Sequence, residues 1–293
     1  MKREQFFSKG GYYPFIVETD ILLHSEAITL GRQVLSNWLL QSGADRTIRV
    51  LDLACGGMPI AICDIMSHFP DVEFTYTGID INPDQIALAR EFQGYSSNVK
   101  TVTLLEGNAW HFDALDLNGP FDVIFSGMNL HHGTVDELYF LALELDRVLA
   151  QGGFIFSHDV YRPVETQYIE RPAYHQSSFN EPLQLIEERA LAQLDIPSFD
   201  ISKVVFGQQA SDWREVFIEH LTQYLDDHNA RPDYIQQTRE HVYQRDFAVS
   251  IPEMKKVFAA ANFSITNVTP NNLEHPLAPY YAFLLMQKSE HNQ

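Results

Sequence analysis

The stretch Arg49-Val-Leu-Asp-Leu-Ala-Cys-Gly-Gly-Met-Pro59 decides how this chain is expected to fold. Its apolar residues up to Leu53 predict a short buried strand, the Gly56-Gly57 pair permits a tight turn, and residues 60–69 predict a helix. Backbone at such a turn can approach a ligand closely because glycine has no Cβ, and a helix N-terminus offers unpaired N–H groups to anions. A strand, a glycine turn and a helix in this order predict a nucleotide-type pocket.

A second strand, predicted over residues 74–79, ends in Asp80. A carboxylate at this position can accept hydrogen bonds from both hydroxyls of a ribose. Asn82 and Pro83 predict the N-cap and first residue of the next helix, and Gln85 is able to complete a capping box. The acidic residue is therefore expected between a strand end and a helix start.

Strands and helices continue to alternate up to about residue 160. The next strands are predicted over residues 102–105, 121–125 and 154–156, and two more over 263–268 and 280–287. About a dozen residues separate the last two strands, too few for a crossover helix, so they are expected to pair antiparallel. The pattern predicts an α/β fold: a doubly wound, mostly parallel seven-stranded sheet with an antiparallel C-terminal hairpin, plus a largely helical insertion.

Composition limits the possible partners and location. The chain carries 39 Asp and Glu against 20 Lys and Arg, a formal charge of -19, and no basic cluster. This charge repels phosphate backbones and anionic membranes, so we expect no nucleic-acid partner, although the acidity is also explained by solubility alone. With no apolar run of about 18 residues and no signal-like segment, a cytoplasmic protein is expected. Two cysteines, Cys55 and Cys63, are expected to be small buried residues rather than a disulfide or thiolate site.

These motifs, in their order and spacing, resemble those of class I S-adenosylmethionine-dependent methyltransferases over roughly residues 46–160 and 250–288. The residues that carry the resemblance are Leu51 to Gly57, Asp80, Gly107 to Ala109, Phe121 to Phe125, Leu149 to Phe154 and the closing hairpin. The chain departs from the family where Ala54 and Met58 replace two glycines. The resemblance implies a Rossmann-like core and S-adenosyl-L-methionine as cofactor, with S-adenosyl-L-homocysteine as its product.

The resemblance also implies a role for individual residues. Asp52, Ala54, Cys55 and Gly56 would surround the methionyl portion, Asp80 would hold the ribose, Ile81, Asn108 and Ala109 would contact the adenine, and Ser126 would lie beneath the sulfonium. For Asp52 and Asn108, capping of loops by short polar side chains is the simpler alternative. In domain terms we expect a helical lid over 1–45, the cofactor-binding core over 46–160, a helical substrate cap over 161–249 and a return to the core over 250–293.

Candidate bases cluster after the fourth and fifth strands, where open α/β sheets bind ligands. His132 or His131 is the first candidate for the catalytic base and His158 the second, although the adjacent pair is equally suited to packing its loop. These histidines with Asp159 would suffice for zinc or iron if they converged. Because no helical histidine pair enforces that convergence, we expect no metal.

Substrate contacts are expected from Asn129, Tyr161 and Tyr174, and from Tyr12 and Tyr13, which follow a Gly-Gly pair able to hinge a lid. The predicted reaction is in-line methyl transfer to a small-molecule acceptor, and the helical insertion is also suited to a homodimer face. Three alternatives stay open: another reaction of the same sulfonium cofactor, a nicotinamide-dependent oxidoreductase, and a non-catalytic binding protein. The oxidoreductase is disfavoured because the third glycine of its fingerprint is missing.

Overall fold

The computed structural model describes residues 12–43, 45–111, 115, 117, 119–161, 213–245, 249–268 and 275–289. Its strands are β1 (Ile48–Leu53), β2 (Phe74–Asp80), β3 (Val99–Glu106), β4 (Phe121–Gly127), β5 (Leu149–Val160), β6 (Phe263–Val268) and β7 (Tyr281–Lys288). Its α-helices are α1 (Tyr12–Thr19), α2 (His24–Ser42), α3 (Ile60–Ser67), α4 (Pro83–Glu91), α5 (Val135–Val148), α6 (Trp213–Asp227), α7 (Pro232–Arg245) and α8 (Ile251–Ala260). Short 3₁₀ turns cover Leu130–His132 and Ala278–Tyr280.

All seven strands form one sheet in the order β3-β2-β1-β4-β5-β7-β6. The first five strands are parallel, whereas β7 runs antiparallel to both β5 and β6. This confirms the predicted fold class. The chain builds outward from β1 toward β3, then returns to the other side of β1 with β4, so a crevice opens between the carboxyl ends of these two strands.

The fifth strand is much longer than predicted. Residues 154–156 were expected, but β5 covers twelve residues and includes Ser157, His158 and Asp159. These polar residues stay in the strand because β5 pairs with β4 on one side and with β7 on the other, so both rows of its backbone groups have partners. The candidate base His158 therefore belongs to the sheet and not to a loop.

Helices cover both faces of the sheet. One buried cluster joins apolar residues of α2 and α3 to one face, and a second joins α5 and α8 to the other. The indole N–H of Trp38 in α2 donates to the carbonyl of Gly152 at 2.7 Å, which fixes this helix to the start of β5. The sheet is thus buried on both sides, as parallel sheets require.

The helices of the predicted cap pack against the N-terminal helices. Phe217 and Leu221 of α6 belong to the same buried cluster as Ile16 of α1, and the Tyr224 hydroxyl donates to the carbonyl of Thr19 at 2.6 Å. Residues 162–212 of the predicted cap lie outside the described residues. None of the described helices is long and apolar enough to cross a bilayer.

Helix starts follow the sequence signals closely. Asn82 caps α4 with Pro83 at its first position, and capping boxes, which a Thr or Ser three residues before a Glu favours, form at Thr134 with Glu137 and at Ser250 with Glu253. The Gln85 amide oxygen accepts from the backbone N–H of Gly57 at 2.7 Å. The residue predicted to complete the capping box of α4 thus binds the glycine turn.

The capping box of α5 gives a direct stability test. Thr134→Ala and Thr134→Ser both lose the methyl group, but only the alanine loses the hydroxyl that accepts from the N–H of Glu137. We expect the alanine variant to be about 1 kcal/mol less stable than the serine variant. Urea unfolding measures the difference, and equal midpoints with equal slopes would show that this cap does not stabilise α5.

Candidate active site

A cleft lies at the carboxyl ends of the central strands. The cleft wall includes Asp52, Gly56, Asp80, Asn108, His132 and His241. Leu22 just before α2, His24 at the start of α2 and Gln237 of α7 also line the cleft. The cleft is therefore built from the core, the N-terminal helices and the helical segment together.

Positive backbone angles shape the turn after β1. Gly56 has a φ of 62°, and Ala54 has a φ of 57° although it carries a Cβ. A Cβ placed on Gly56 would have the Gln85 amide oxygen 3.9 Å away as its nearest neighbour. Since the space beside Gly56 is otherwise open, a ligand in the cleft can approach this backbone directly.

The neighbouring Gly57 is needed for a different reason. A Cβ at this position would lie 2.7 Å from the Cβ of Leu88 and 2.9 Å from the amide oxygen of Gln85. The turn therefore packs directly against α4. Of the two glycines, the second serves helix packing and the first leaves room at the cleft.

Asp80 joins the glycine turn to the end of β2. One carboxylate oxygen accepts from the N–H of Gly56 at 2.9 Å and the other from the N–H of Asn82 at 2.8 Å. Burial raises the pKa of Asp80, while these two backbone hydrogen bonds lower it. Because a carboxylate has about four acceptor positions, the group can hold both backbone donors and still accept from a diol in the cleft.

Asp52 is 3% exposed and lines the floor of the cleft. Its carboxyl group accepts from the Tyr76 hydroxyl at 2.8 Å. Burial raises the pKa of Asp52 to about 8; the Tyr76 hydrogen bond opposes this shift and the nearby Asp80 adds to it. The group is therefore mostly protonated at neutral pH, a state that the sequence did not predict. Cys55, packed beside it, is buried as expected.

The residues expected to contact the adenine all line the cleft, and one of them also caps its own loop. The side-chain oxygen of Asn108 accepts from the N–H of Trp110 at 3.0 Å, so this residue caps its loop and lines the cleft as well. Ile81 and Ala109 also line the cleft, and Ile81 is 43% exposed. Ser126 is 1% exposed within the sheet, and its neighbours Gly127 and Met128 reach the cleft in its place.

A fully buried carboxylate organises the turn after β4. Asp159 of β5 accepts from the N–H groups of Asn129, at 3.1 Å, and Leu130, from the N–H of Val160 at 2.8 Å, and from Nδ1 of His131. Because an ionised carboxylate can only accept hydrogen bonds, Nδ1 of His131 is the ring nitrogen that donates to Asp159.

The two adjacent histidines occupy different environments. His131 is 4% exposed, whereas His132 is half-buried and lines the cleft. Their ring centroids are 3.8 Å apart, and the ring of His132 lies 5.0 Å from that of His241 in α7. Of the pair predicted as first candidates, His132 is the one that a ligand in the cleft would meet.

His158, the second candidate base, is fully buried between aromatic rings. It stacks on Phe283 at 5.2 Å with an interplanar angle of 6°. Burial, followed by the neighbouring His24, lowers the pKa of His158 to about 3. The imidazole is neutral at physiological pH and forms an uncharged wall of the cleft.

The five expected substrate contacts have different outcomes. Asn129 lines the cleft. Tyr161 is 3% exposed, lies in the apolar cluster under α5 and α8, and has its hydroxyl 3.5 Å from that of Ser157. Tyr174 and the side chains of Tyr12 and Tyr13 lie outside the described part of the chain.

Sequence reasoning missed the contribution of α7. Gln237, Glu240 and His241 all line the cleft, and their spacing of three and four residues places them on one face of the helix. That shared polar face was visible in the sequence, but the direction in which it points depends on tertiary packing. The ligand atoms of His131, His132 and His241 lie within 4.8 Å of one another.

The raised pKa of Asp52 predicts a pH-dependent effect on stability. Between about pH 4 and pH 8 the folded protein keeps a proton on Asp52 that the unfolded chain has released. The free energy of unfolding of the wild type therefore falls as the pH rises through this window. Asparagine at this position does not ionise, so the variant lacks this pH-dependent loss of stability. We expect the melting temperature of Asp52→Asn to exceed that of the wild type by a margin that grows by several degrees across this window.

Asp84→Asn, which changes an exposed carboxylate on α4, is the matched control for this experiment. Differential scanning fluorimetry of the three proteins over the same buffers measures the margins. A margin for Asp52→Asn that stays constant with pH, as a simple packing effect would give, contradicts the raised pKa.

Comparison with known proteins agrees with the fold. Residues 50–153 match the family model described as a methyltransferase domain. A non-reducing polyketide synthase of Aspergillus calidoustus is 31% identical over 101 residues, which is 34% of this chain and 4% of that protein. The chain thus spans a small part of the curated relative that it matches.

Two solved structures have a similar fold. The plantazolicin methyltransferase BamL, solved with a substrate analogue and S-adenosylhomocysteine, has a TM-score of 0.55 and 12% identity, covering 98% of this chain and 94% of that one. A candidate O-methyltransferase from Nostoc punctiforme has a TM-score of 0.52 and 14% identity, covering 98% and 64% of the two chains. Residues 50–153 are thus similar to a methyltransferase domain, and the chain shares the fold of these two solved structures.

Proposed function

We propose that this protein transfers the methyl group of S-adenosyl-L-methionine to a small-molecule acceptor by in-line displacement. The observation that carries the proposal is the joint position of the open Gly56 backbone and the Asp80 carboxylate in one cleft of a methyltransferase domain. The structure of BamL with S-adenosylhomocysteine, a relative in fold, supports the choice of cofactor.

The residues present fit this cofactor. The open space beside Gly56 accepts a close-lying chain such as the methionyl portion. Asp80 offers remaining acceptor positions to two ribose hydroxyls, and the exposed apolar surface of Ile81 suits the face of an adenine. We assign these three residues to the cofactor, with Asp52, Ala54 and Cys55 around the methionyl portion and Asn108 and Ala109 beside the adenine.

The acceptor is proposed to occupy the end of the cleft lined by Met128, Asn129 and His132. When bound, the cofactor supplies an electrophilic methyl group on a sulfonium. The task of the chain is to hold the nucleophile about 3 Å from that carbon and to exclude water. Asn129 contributes here, since its buried side-chain nitrogen has no hydrogen-bond partner among the described residues and lies at the cleft wall.

His132 is the residue we assign to contact with the acceptor, because it lines the cleft. His131 acts behind it, with its ring held by Asp159. His158 is assigned a positioning role as a neutral wall, since its pKa of about 3 makes it a poor base near neutral pH. Ser126 supports the strand beneath Gly127, where the cleft begins.

A small molecule suits the shape of the cleft better than a macromolecule. Leu22 and His24 near the start of α2 and the polar face of α7 line the cleft together with the core, so an acceptor there would meet all three parts of the chain. The proposed lid over 1–45 and the proposed cap over 161–249 are consistent with this lining. Cytoplasmic location, a homodimer and the lack of nucleic-acid partners stay predictions from the sequence.

Asp80→Ala tests cofactor recognition. The substitution removes the acceptor for two ribose hydroxyls, and hydrogen bonds to a charged group contribute about 1.5–3 kcal/mol each. We therefore expect the affinity for S-adenosylhomocysteine to fall by at least about tenfold, measured by calorimetric titration. Asp84→Ala, on the exposed side of α4, removes the same charge outside the cleft and should retain wild-type affinity.

Turnover tests the reaction itself. Wild-type protein incubated with S-adenosylmethionine and a panel of phenols, alcohols and amines should yield S-adenosylhomocysteine and a methylated acceptor in equal amounts, as measured by mass spectrometry. Consumption of the cofactor with a product that lacks the added methyl group would favour a different reaction of the same sulfonium. Retained affinity in Asp80→Ala would overturn the assignment of the ribose site.

A further inference from the structure

We propose that His131, His132 and His241 together bind one divalent transition-metal ion of the zinc class at the acceptor end of the cleft. Their ligand nitrogens lie within 4.8 Å of one another. Two of these residues come from the 3₁₀ turn after β4 and the third from α7, elements that are about 100 residues apart in the chain. Three imidazoles with one position left open is a ligand set of catalytic zinc sites.

A second shell supports this ligand set. The Asp159 carboxylate, which is fully buried, accepts from Nδ1 of His131, so Nε2 is the ring nitrogen that would bind the ion. Ligating histidines commonly donate their other ring nitrogen to a carboxylate in this way, which fixes the tautomer and makes the ligand more basic. Asp159 also holds the backbone of the turn through the N–H groups of Asn129 and Leu130. The buried carboxylate thus orients one ligand and the segment that carries two.

Small side-chain rotations would complete the coordination. Tetrahedral binding at about 2.0–2.1 Å places ligand nitrogens about 3.4 Å from one another, so the separations of up to 4.8 Å must contract by about 1.4 Å. His132 and His241 are both half-buried at the cleft, whereas His131 is held by Asp159, so the contraction would fall on the first two rings. One ligand is therefore preorganised and two adapt.

The position of the three rings assigns the open coordination site to the cleft. His131 lies behind the wall, while His132 and His241 form part of it. An acceptor hydroxyl at this site would release its proton to water more readily beside a divalent cation. Its oxygen then forms a bond to the methyl carbon as the carbon–sulfur bond breaks and its electron pair stays on sulfur. This step rests on the proposed methyl transfer, whereas the metal site itself does not.

Metal binding is tested without cofactor or acceptor. Full-length protein treated with EDTA and then desalted is titrated with Zn²⁺ in competition with a chromophoric chelator, and we expect one tightly bound ion per chain. Loss of a second-shell partner typically costs about 10–100-fold in affinity, so His241→Gln, which removes a ligand, should weaken binding by more than about 100-fold. His68→Gln, which changes an exposed imidazole beside Phe69, should bind as the wild type does.

Two further measurements make the result specific. His132→Gln should weaken binding as His241→Gln does, and circular dichroism should show that both variants stay folded. X-ray absorption of the zinc-loaded wild type should report imidazole nitrogens at about 2.0 Å. Zinc affinity in folded His241→Gln and His132→Gln equal to that of the wild type would overturn the site, and so would failure of the wild type to bind.

Activity separates this inference from the proposed function. If zinc binds as described and Asp80→Ala abolishes binding of S-adenosylhomocysteine, EDTA treatment should lower methyl transfer and added Zn²⁺ should restore it. If no acceptor is methylated but the three-histidine site binds zinc, the proposed function fails and the metal site stands. If methylation proceeds in a wild type that binds no zinc, the metal site fails and the proposed function stands.

Discussion

The hydrogen bond from the backbone N–H of Gly56 to the carboxylate of Asp80 is the constraint on which the cofactor end of the cleft depends. It ties the turn after β1 to the tip of β2, and the second carboxylate oxygen ties the same residue to the start of α4 through Asn82. Gln85 completes this connection by accepting from Gly57. One short turn therefore has its shape set by the strand and the helix beside it, and the open side of Gly56 faces the cleft.

A second carboxylate plays the corresponding part at the other end of the cleft. Asp159 lies within β5 and accepts hydrogen bonds from the backbone of the turn after β4, from the N–H of Val160 and from the ring of His131. The burial of this charge is offset by four N–H donors, so removing it would leave several of them without acceptors. The cleft thus runs between two buried acids, of which one shapes the cofactor end and the other the histidine cluster.

The sequence predicted those features of the fold that depend on residues close to one another in the chain. The glycine turn, the caps at Asn82, Thr134 and Ser250, and the antiparallel end of the sheet were all readable from residue spacing. The length of β5 was not, because His158 and Asp159 look like loop residues until the pairing with β7 supplies their backbone partners. Asp52 looked like an ordinary carboxylate, and its pKa of about 8 follows from burial that depends on the whole fold.

The histidine cluster shows the same limit most clearly. The sequence offered His131, His132, His158 and Asp159 as neighbours, and the structure separates them by role: His158 stacks on Phe283, Asp159 holds His131, and the third imidazole of the cluster is His241. Nothing near residue 241 signals that proximity, because it arises from the way α7 crosses the cleft. The direction in which the polar face of α7 points is therefore known only once the helix has been placed against the core.

A crystal structure of the protein with S-adenosylhomocysteine tests the central claim most directly. The account predicts the homocysteine chain beside the backbone of Gly56, and both ribose hydroxyls within hydrogen-bonding distance of Asp80, whose bonds to Gly56 and Asn82 remain intact. An adenosine bound elsewhere in the cleft, or a ribose held by other residues while Asp80 contacts protein alone, would contradict it.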